Sequence, residues 1–439
     1  MNLPGPDSLR KLQVFSRWML CIAALLFPFS VAVTNIALAA AIVSGLISGL
    51  IREGLQILWL NYRGFSLALF AYIGLMATGL LWSLDLSWGI HILGRQWFWL
   101  LLPLAAASLH DPLWSRRFLL LLSIGLTLHL LFCVLQIFGW VEVIKAGSNA
   151  NNPTGHIGHL SFGFVYGIWA AWLFYAGWNR QGMQRWALWL LTLWSILMTF
   201  MAQGRSGYLI ILVLFLTCSW RMFSSGHRLG FRHALLALGV AGLIGAVMLT
   251  GPANERLAGT LQAPDLSSPV DFQHEAGPGK LTLASTQMHL SLWIGAFSIW
   301  KRHPLLGAGT GGFPLAAIQA LKDTPGLSYG YSGPPAHPHN IYLLALTRWG
   351  PLGFLVVVCL LYNWIRLGWR RDWLQEEHGL LVSLTGIALL VHGLTSSSME
   401  DHFSSLLAIM LLGLGIAGLY HDGGRPQKLS GTSNRVNEV

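Results

Sequence analysis

Charge is what this chain has least of. Lys, Arg, Asp and Glu make up 10% of its 439 residues, against 54% hydrophobic residues, at a mean hydropathy of +0.57. A soluble domain carries about a quarter charged residues, because it must cover its surface for water. A water-soluble globular enzyme is therefore excluded. Cysteine is scarce too. Cys21, Cys133, Cys218 and Cys359 all lie inside apolar runs without paired spacing, which reads as packing and not as disulfides or metal ligands. There is no GxxxxGK[ST] loop, no HExxH and no CxxC, so ATP-driven transport and zinc hydrolysis have no visible apparatus. The segments between apolar runs hold no Asp-x-Asp pair to fix a divalent cation beside a phosphate. No cofactor and no metal are expected.

What the chain has is apolar length and interfacial rings, including 21 Trp. About 20 apolar residues cross the hydrocarbon core. About twelve such runs are read, with centres near Leu25, Ala40, Leu69, Leu102, Ile124, Ile168, Leu193, Leu212, Val240, Val356, Ala388 and Leu411. The first follows Arg10, Lys11 and Arg17, and a second run follows it at once, so it reads as a span and not a cleavable signal. An even number of spans puts both termini on one side. Two thirds of the 27 Lys and Arg then fall on that side, which the positive-inside rule makes the cytoplasm. The net charge of +10 is scattered between spans, so it reads as topology signals within membrane lipid, with no nucleic-acid partner.

The expected fold is all-α and polytopic, with about twelve transmembrane helices and one long periplasmic loop. Residues 1–251 hold the first nine spans, 252–340 the loop, 341–420 the last three spans and 421–439 a cytoplasmic tail. Within the loop, Glu255–Lys280 is polar, whereas Thr286–Arg302 sets Leu290, Trp293, Ile294, Phe297 and Trp300 at helical spacing. That pattern predicts an amphipathic helix lying against the membrane or the bundle. Pro304 and the run Gly307–Gly312 end it. The glycine run does not sit between a strand and a helix, so it reads as a sharp turn and not a phosphate cradle.

Two features carry chemistry. His337 and His339 are flanked by Pro335 and Pro338 just before a span. Proline fixes the local path, and histidine is the natural general base near neutral pH; a pair of interfacial histidines with Asn340 capping the next helix fits the spacing equally. Arg205 lies in Gly204-Arg205-Ser206-Gly207 between two apolar runs with almost no loop. A guanidinium there is costly and suited to phosphate; the plainer reading is a snorkelling arginine. Glu400-Asp401-His402 is the one tight acidic group outside, and reads as a short solvated turn.

These residues resemble the O-antigen ligase family, within a superfamily of polytopic glycosyltransferases. His339-Asn340, nine residues, then Gly350-Pro351-Leu352-Gly353 resembles the family signature. Trp293 through His303-Pro304-Leu305-Leu306-Gly307-Ala308-Gly309-Thr310-Gly311-Gly312-Phe313 is similar to the superfamily's W…HPLxGxGxGxF, and Gly204–Gly207 to its small-residue/Arg motif. The resemblance implies a bacterial inner-membrane ligase that moves a glycan from undecaprenyl pyrophosphate to the lipid A–core oligosaccharide. It implies a metal-independent, inverting displacement at the periplasmic face, with Arg205 on the pyrophosphate, His339 as base or acceptor-orienting group, and His337 and Asn340 in support. An arginine is common four residues before the loop-helix tryptophan; here that position is His289, so Arg256, Lys301, Arg302 and Arg95 all stand as sources of the second positive charge. Rival expectations are an O-antigen polymerase, a protein O-oligosaccharyltransferase and, from a different class, a transporter of the lipid-linked glycan. The short segment after the last span disfavours the protein-directed enzyme, and the His-Asn…Gly signature favours the ligase.

Overall fold

The computed structural model describes residues 5–141, 148–202, 204–224, 278–324, 329, 333–369 and 377–423. Among them every regular element is helical. In order they are α1 (Pro6–Leu26), α2 (Val31–Ile47), α3 (Leu50–Asn61), α4 (Arg63–Thr78), α5 (Leu86–Gly94), a 3-10 segment (Arg95–Leu100), α6 (Leu101–Ser108), α7 (Pro112–Ile137), α8 (His159–Trp178), α9 (Gly182–Met201), α10 (Arg205–Ser224), α11 (Pro278–Arg302), α12 (Phe313–Asp323), α13 (Ile341–Gly368), α14 (Glu377–His392) and α15 (His402–Gly423).

Five of these helices, α7, α8, α10, α13 and α15, are long and apolar enough to cross a membrane. The pair α2 and α3, bent by 81°, would make a sixth, while α4 and α14 are apolar but shorter. The expected dozen is therefore not matched one for one. The run near Leu102 is broken into α5, the 3-10 segment and α6, because Arg95 and Gln96 fall inside it and short 3-10 stretches mark such interruptions. The span expected near Val240, the segment through Arg256 and the tail beyond residue 423 lie outside the described residues. The amphipathic helix of the loop is α11, which begins earlier than the spacing predicts and leaves Ile294 and Phe297 exposed.

The helices share one orientation rule. The ring of Phe27, past the end of α1, meets Phe403 at the start of α15 with centroids 5.5 Å apart. The start of α1 and the end of α15 thus lie at the far end of the bundle. The starts of α8, α10, α13 and α15 gather at the near end. Asn340 begins α13 by accepting from the Tyr342 and Leu343 amides, both at 3.0 Å.

α13 is interrupted at Gly350 (φ 65°, ψ −159°), with Pro351 next. Proline has no N–H, so the Thr347 carbonyl loses its helical donor, and the reversal at Gly350 frees the Arg348 carbonyl as well. Buried carbonyls need partners. The glycine run supplies them: Ala308 N–H donates to Thr347 O at 2.8 Å and Gly309 N–H to Arg348 O at 2.9 Å. The run also reaches the turn after α4, through Thr310 N–H to Gly79 O at 3.1 Å and Trp82 Nε1 to Leu306 O at 2.8 Å. The sharp turn expected from the sequence is thus a clamp on a broken helix. A Cβ at Gly350 would strike the Leu305 carbonyl and sit at a positive φ. Gly350→Ala should therefore destabilise the protein by about 2 kcal/mol or more, seen as a lowered thermal midpoint of the purified protein in detergent.

Candidate active site

Five helix ends and one loop meet at the near end of the bundle. Arg205 opens α10 and donates from Nη1 to Thr286 Oγ1 at 2.7 Å and from Nη2 to Ser285 Oγ at 3.2 Å, both on α11. One turn further along α11, on the same face, His289 meets His339 edge-on with ring centroids 5.3 Å apart. His339 in turn meets His337 at 4.5 Å. Arginine, three imidazoles and two hydroxyls therefore form one row.

His339 has φ +50°, the one positive value at a non-glycine among the described residues. A histidine in the left-handed region is held against its preference, and such positions cluster at functional sites. What holds it is Asn340. Its Oδ1 caps α13 and its Nδ2 donates to Leu394 O at 3.1 Å, while Ile341 N–H donates to Gly393 O at 2.8 Å. Both arms of the Asn340 amide are occupied by backbone, so it positions its neighbour. The capping expected of Asn340 is thus present, directly beside His339.

Glu400 closes the other side. Its carboxylate accepts from both terminal guanidinium nitrogens, Nη1 and Nη2, of Arg348, a side chain only 1% exposed within α13. Arg95 Nη2 donates to the Glu400 carbonyl at 2.9 Å. Asp401 accepts from Ser161 at 2.7 Å and caps α15 through the Ser404 amide at 2.9 Å. The solvated turn expected at Glu400-Asp401-His402 is therefore corrected: the carboxylates are tied into helices because buried charges need partners. His337, His339, Arg95, Glu400, Asp401 and His402 line one cavity of about 380 Å³.

Burial holds the imidazoles neutral. It pushes His339 down to about 3, helped by the neighbouring His337, His289 and His159. It pushes His289 down to about 4, helped by Arg205 and His337. His337 also sits below its ordinary value, burial outweighing the opposing pull of Glu400. For Glu400 burial acts upward, but Arg348 more than reverses it, and the carboxyl lies below its usual range. His289 Nδ1 is buried without a hydrogen-bond partner among the described residues. Among those residues no group of three or more His, Cys, Asp or Glu is placed to hold a metal ion.

Of the residues the sequence singled out, Arg205, His289, His337, His339 and Arg95 are brought together, with Asn340 behind them. Arg302 is not. It ends α11, about 20 Å along the helix from His289, and pairs with Asp323 of α12. Arg256 lies outside the described residues. Arg348 was missed, although it is a charge inside an apolar run, the signal that marked Arg205.

Residues 190–358 match the family model described as O-antigen ligase. The match runs from α9 into α13 and takes in Arg205, His289, His337, His339, Arg348 and Gly350, but neither Arg95 nor Glu400. It supports an O-antigen ligase family assignment. No curated protein matches the chain.

Two stability predictions arise from this geometry. Removing one member of the Arg348–Glu400 pair, as in Glu400→Gln or Arg348→Met, should cost about 3–5 kcal/mol by leaving a buried charge alone, while replacing both by apolar residues should cost less than the sum; thermal midpoints of the three proteins check this. The lowered histidines mean that the unfolded chain binds more protons between about 4 and about 6.5. Stability should therefore rise with pH across that window, and His289→Phe should flatten the rise in thermal midpoint against pH.

Proposed function

We propose, from the assignment of this chain to the O-antigen ligase family, that it moves a glycan from undecaprenyl pyrophosphate onto a sugar of the lipid A–core oligosaccharide. The observation that carries the reading is the row from Arg205 through His289 and His339 to His337. It sets cationic donors and neutral imidazoles side by side at one end of an apolar bundle, where two lipid-anchored substrates can both be presented.

In this mechanism the acceptor hydroxyl oxygen attacks the anomeric carbon of the donor. The bond from that carbon to the phosphate oxygen breaks, and its electron pair leaves with undecaprenyl pyrophosphate. The hydroxyl proton passes to the His339 imidazole, which is neutral and so able to take it. Arg205, fixed in advance by Ser285 and Thr286, faces the charge that grows on the leaving group, with Arg95 across the cavity as the second cation. Fixed donors of this kind need no reorganisation during reaction. One displacement inverts the anomeric configuration. His337 and Glu400 orient and polarise the base, and no step calls on a metal.

The side of the membrane is supported by charge. Arg10, Lys11 and Arg17 on α1, Arg116 and Arg117 early in α7, Arg180 after α8, Arg221 late in α10 and Arg366 late in α13 lie toward the end away from the site. A basic end favours the cytoplasm, which supports the reading of a periplasmic site in the inner membrane of a bacterium.

The deciding experiment is the lipopolysaccharide profile of a deletion strain. A ligase predicts core without polymer, with polymer accumulating on its lipid carrier. A single repeat unit on the core would identify a polymerase instead, and substrate movement with no new glycosidic bond a transporter. In a purified system Arg205→Ala and His339→Ala should each lose transfer by about 100-fold or more while inserting normally; near-wild-type activity removes that residue from the site. Transfer should persist in EDTA. Because His339 is depressed to about 3, kcat/KM should not show an acid limb near the ordinary histidine value, but only well below about pH 5.5.

A further inference from the structure

At the far end of the bundle, away from the histidine row, two arginines share one indole. Arg17 comes from α1 and Arg117 from α7. Their guanidinium carbons lie 5.9 Å and 4.8 Å from the ring centre of Trp114, and Arg117 also lies 5.2 Å from that of Trp18. The two rings meet edge-on with centroids 5.3 Å apart. A ring face attracts a guanidinium through its quadrupole and leaves the N–H donors along the guanidinium edge to other acceptors. Neither arginine makes an ion pair among the described residues, and Arg17 Nε is buried there without a hydrogen-bond partner. Asp111, the carboxylate nearest to Arg117 in sequence, is turned to the start of α7, where it accepts from the Leu113 amide at 2.9 Å. Two like charges are thus held on one ring with no described carboxylate bridging them.

Their depth indicates what would balance them. From Arg117 to Ile137 α7 rises about 30 Å, the thickness of the hydrocarbon core, and α7 is the most apolar of the five candidate spans. Arg117 therefore stands at the level of the phosphates of one leaflet. Leu113 and Leu120 lie one turn to either side of it, and Ile124, Leu128 and Leu131 prolong the same stripe, all of them exposed. On α1, Val14 and Trp18 are exposed beside Arg17, and tryptophan favours the membrane interface. An anion held here would sit at the head of an apolar track down the outside of α7. A free anion makes no use of such a track, whereas a phosphate carrying acyl chains does.

We propose that Arg17 and Arg117 bind the phosphodiester head of an anionic phospholipid whose chains lie along α7. One phosphate bridges the two guanidiniums, each of which can offer two parallel N–H donors. A zwitterionic lipid also brings a phosphate, but its ammonium would enter a field set by Arg10, Lys11 and Arg116. Net negative charge on the lipid is therefore selected. Bound in this way, the lipid fastens α1 to α7 at the end opposite the histidines. The inference stands independently of the reaction proposed above.

The test is native mass spectrometry of the purified full-length chain, titrated in detergent with phosphatidylglycerol and with phosphatidylethanolamine. The wild-type protein should take up phosphatidylglycerol with a preference of roughly tenfold or more, and its thermal midpoint should rise with that lipid alone. The double substitution of Arg17→Gln with Arg117→Gln should lose both effects. Arg116→Gln, which removes an exposed charge at the next position, should keep both. Equal uptake of the two lipids by the wild-type protein overturns the proposal, and that result needs no variant to fold. An equal loss of preference in Arg116→Gln would make the effect one of diffuse surface charge and overturns it too. Displacement of the lipid by inorganic phosphate alone would mark a site for a free anion, which is the third result that the proposal does not survive.

Discussion

A helix interrupted inside an apolar bundle must hand its freed carbonyls to some other donor, and the solution to that problem at Gly350 organises this molecule. Pro351 takes one N–H away, the reversal at Gly350 misaligns another, and Ala308 and Gly309 fill both vacancies. Because those donors belong to the glycine run, the segment before it, α11, is fixed relative to the start of α13. That is how His289, on α11, comes to face His339, at the entrance to α13. Two sequence motifs far apart in the chain turn out to be the two halves of one joint. Their glycines are there for backbone contact, and the histidine is there because the joint delivers it.

The same economy governs the charges. An arginine buried in α13 would be intolerable alone, so the Arg348 guanidinium draws Glu400 down onto it. Glu400 carries the loop between α14 and α15 with it. That loop brings Leu394, which receives Asn340, and Asp401, which caps α15 and holds Ser161 of α8. A single ion pair thereby ties three helix starts to the histidine row. Arg205 adjoins His289 at one end of the row and Arg95 adjoins His337 at the other, with hydroxyls of Ser285 and Thr286 on Arg205 and the Glu400 carbonyl on Arg95.

Much of this was legible in the residues. The spacing from His339 to Gly350 marks the joint, the small residues around Arg205 mark a close helix start, and Trp293 with Phe297 marks α11. Arg348 was legible on the same terms as Arg205, as a charge within a span. Other parts were hidden for physical reasons. The pairing of Glu400 depends on a contact 52 residues away, and nothing local distinguishes a buried carboxylate from one in a solvated turn. The count of spans is not confirmed where a run of apolar composition is broken in backbone, as at Arg95–Leu100, since hydropathy records what a segment is made of and not whether it stays straight. Arg302 was likewise not separable from Arg95 by sequence, because its pairing with Asp323 depends on how α11 and α12 pack.

On the proposed reading, the low basicity of the histidines becomes part of the mechanism. An imidazole held at about 3 is neutral at any working pH and is a poor base. Its depression has two sources, burial first and then the neighbouring His337, His289 and His159. A diphosphate entering between Arg205 and Arg95 would bring negative charge within a few ångströms of the row, and an anion at that range raises the proton affinity of a buried imidazole. His339 would then become a competent base only when the donor is in place.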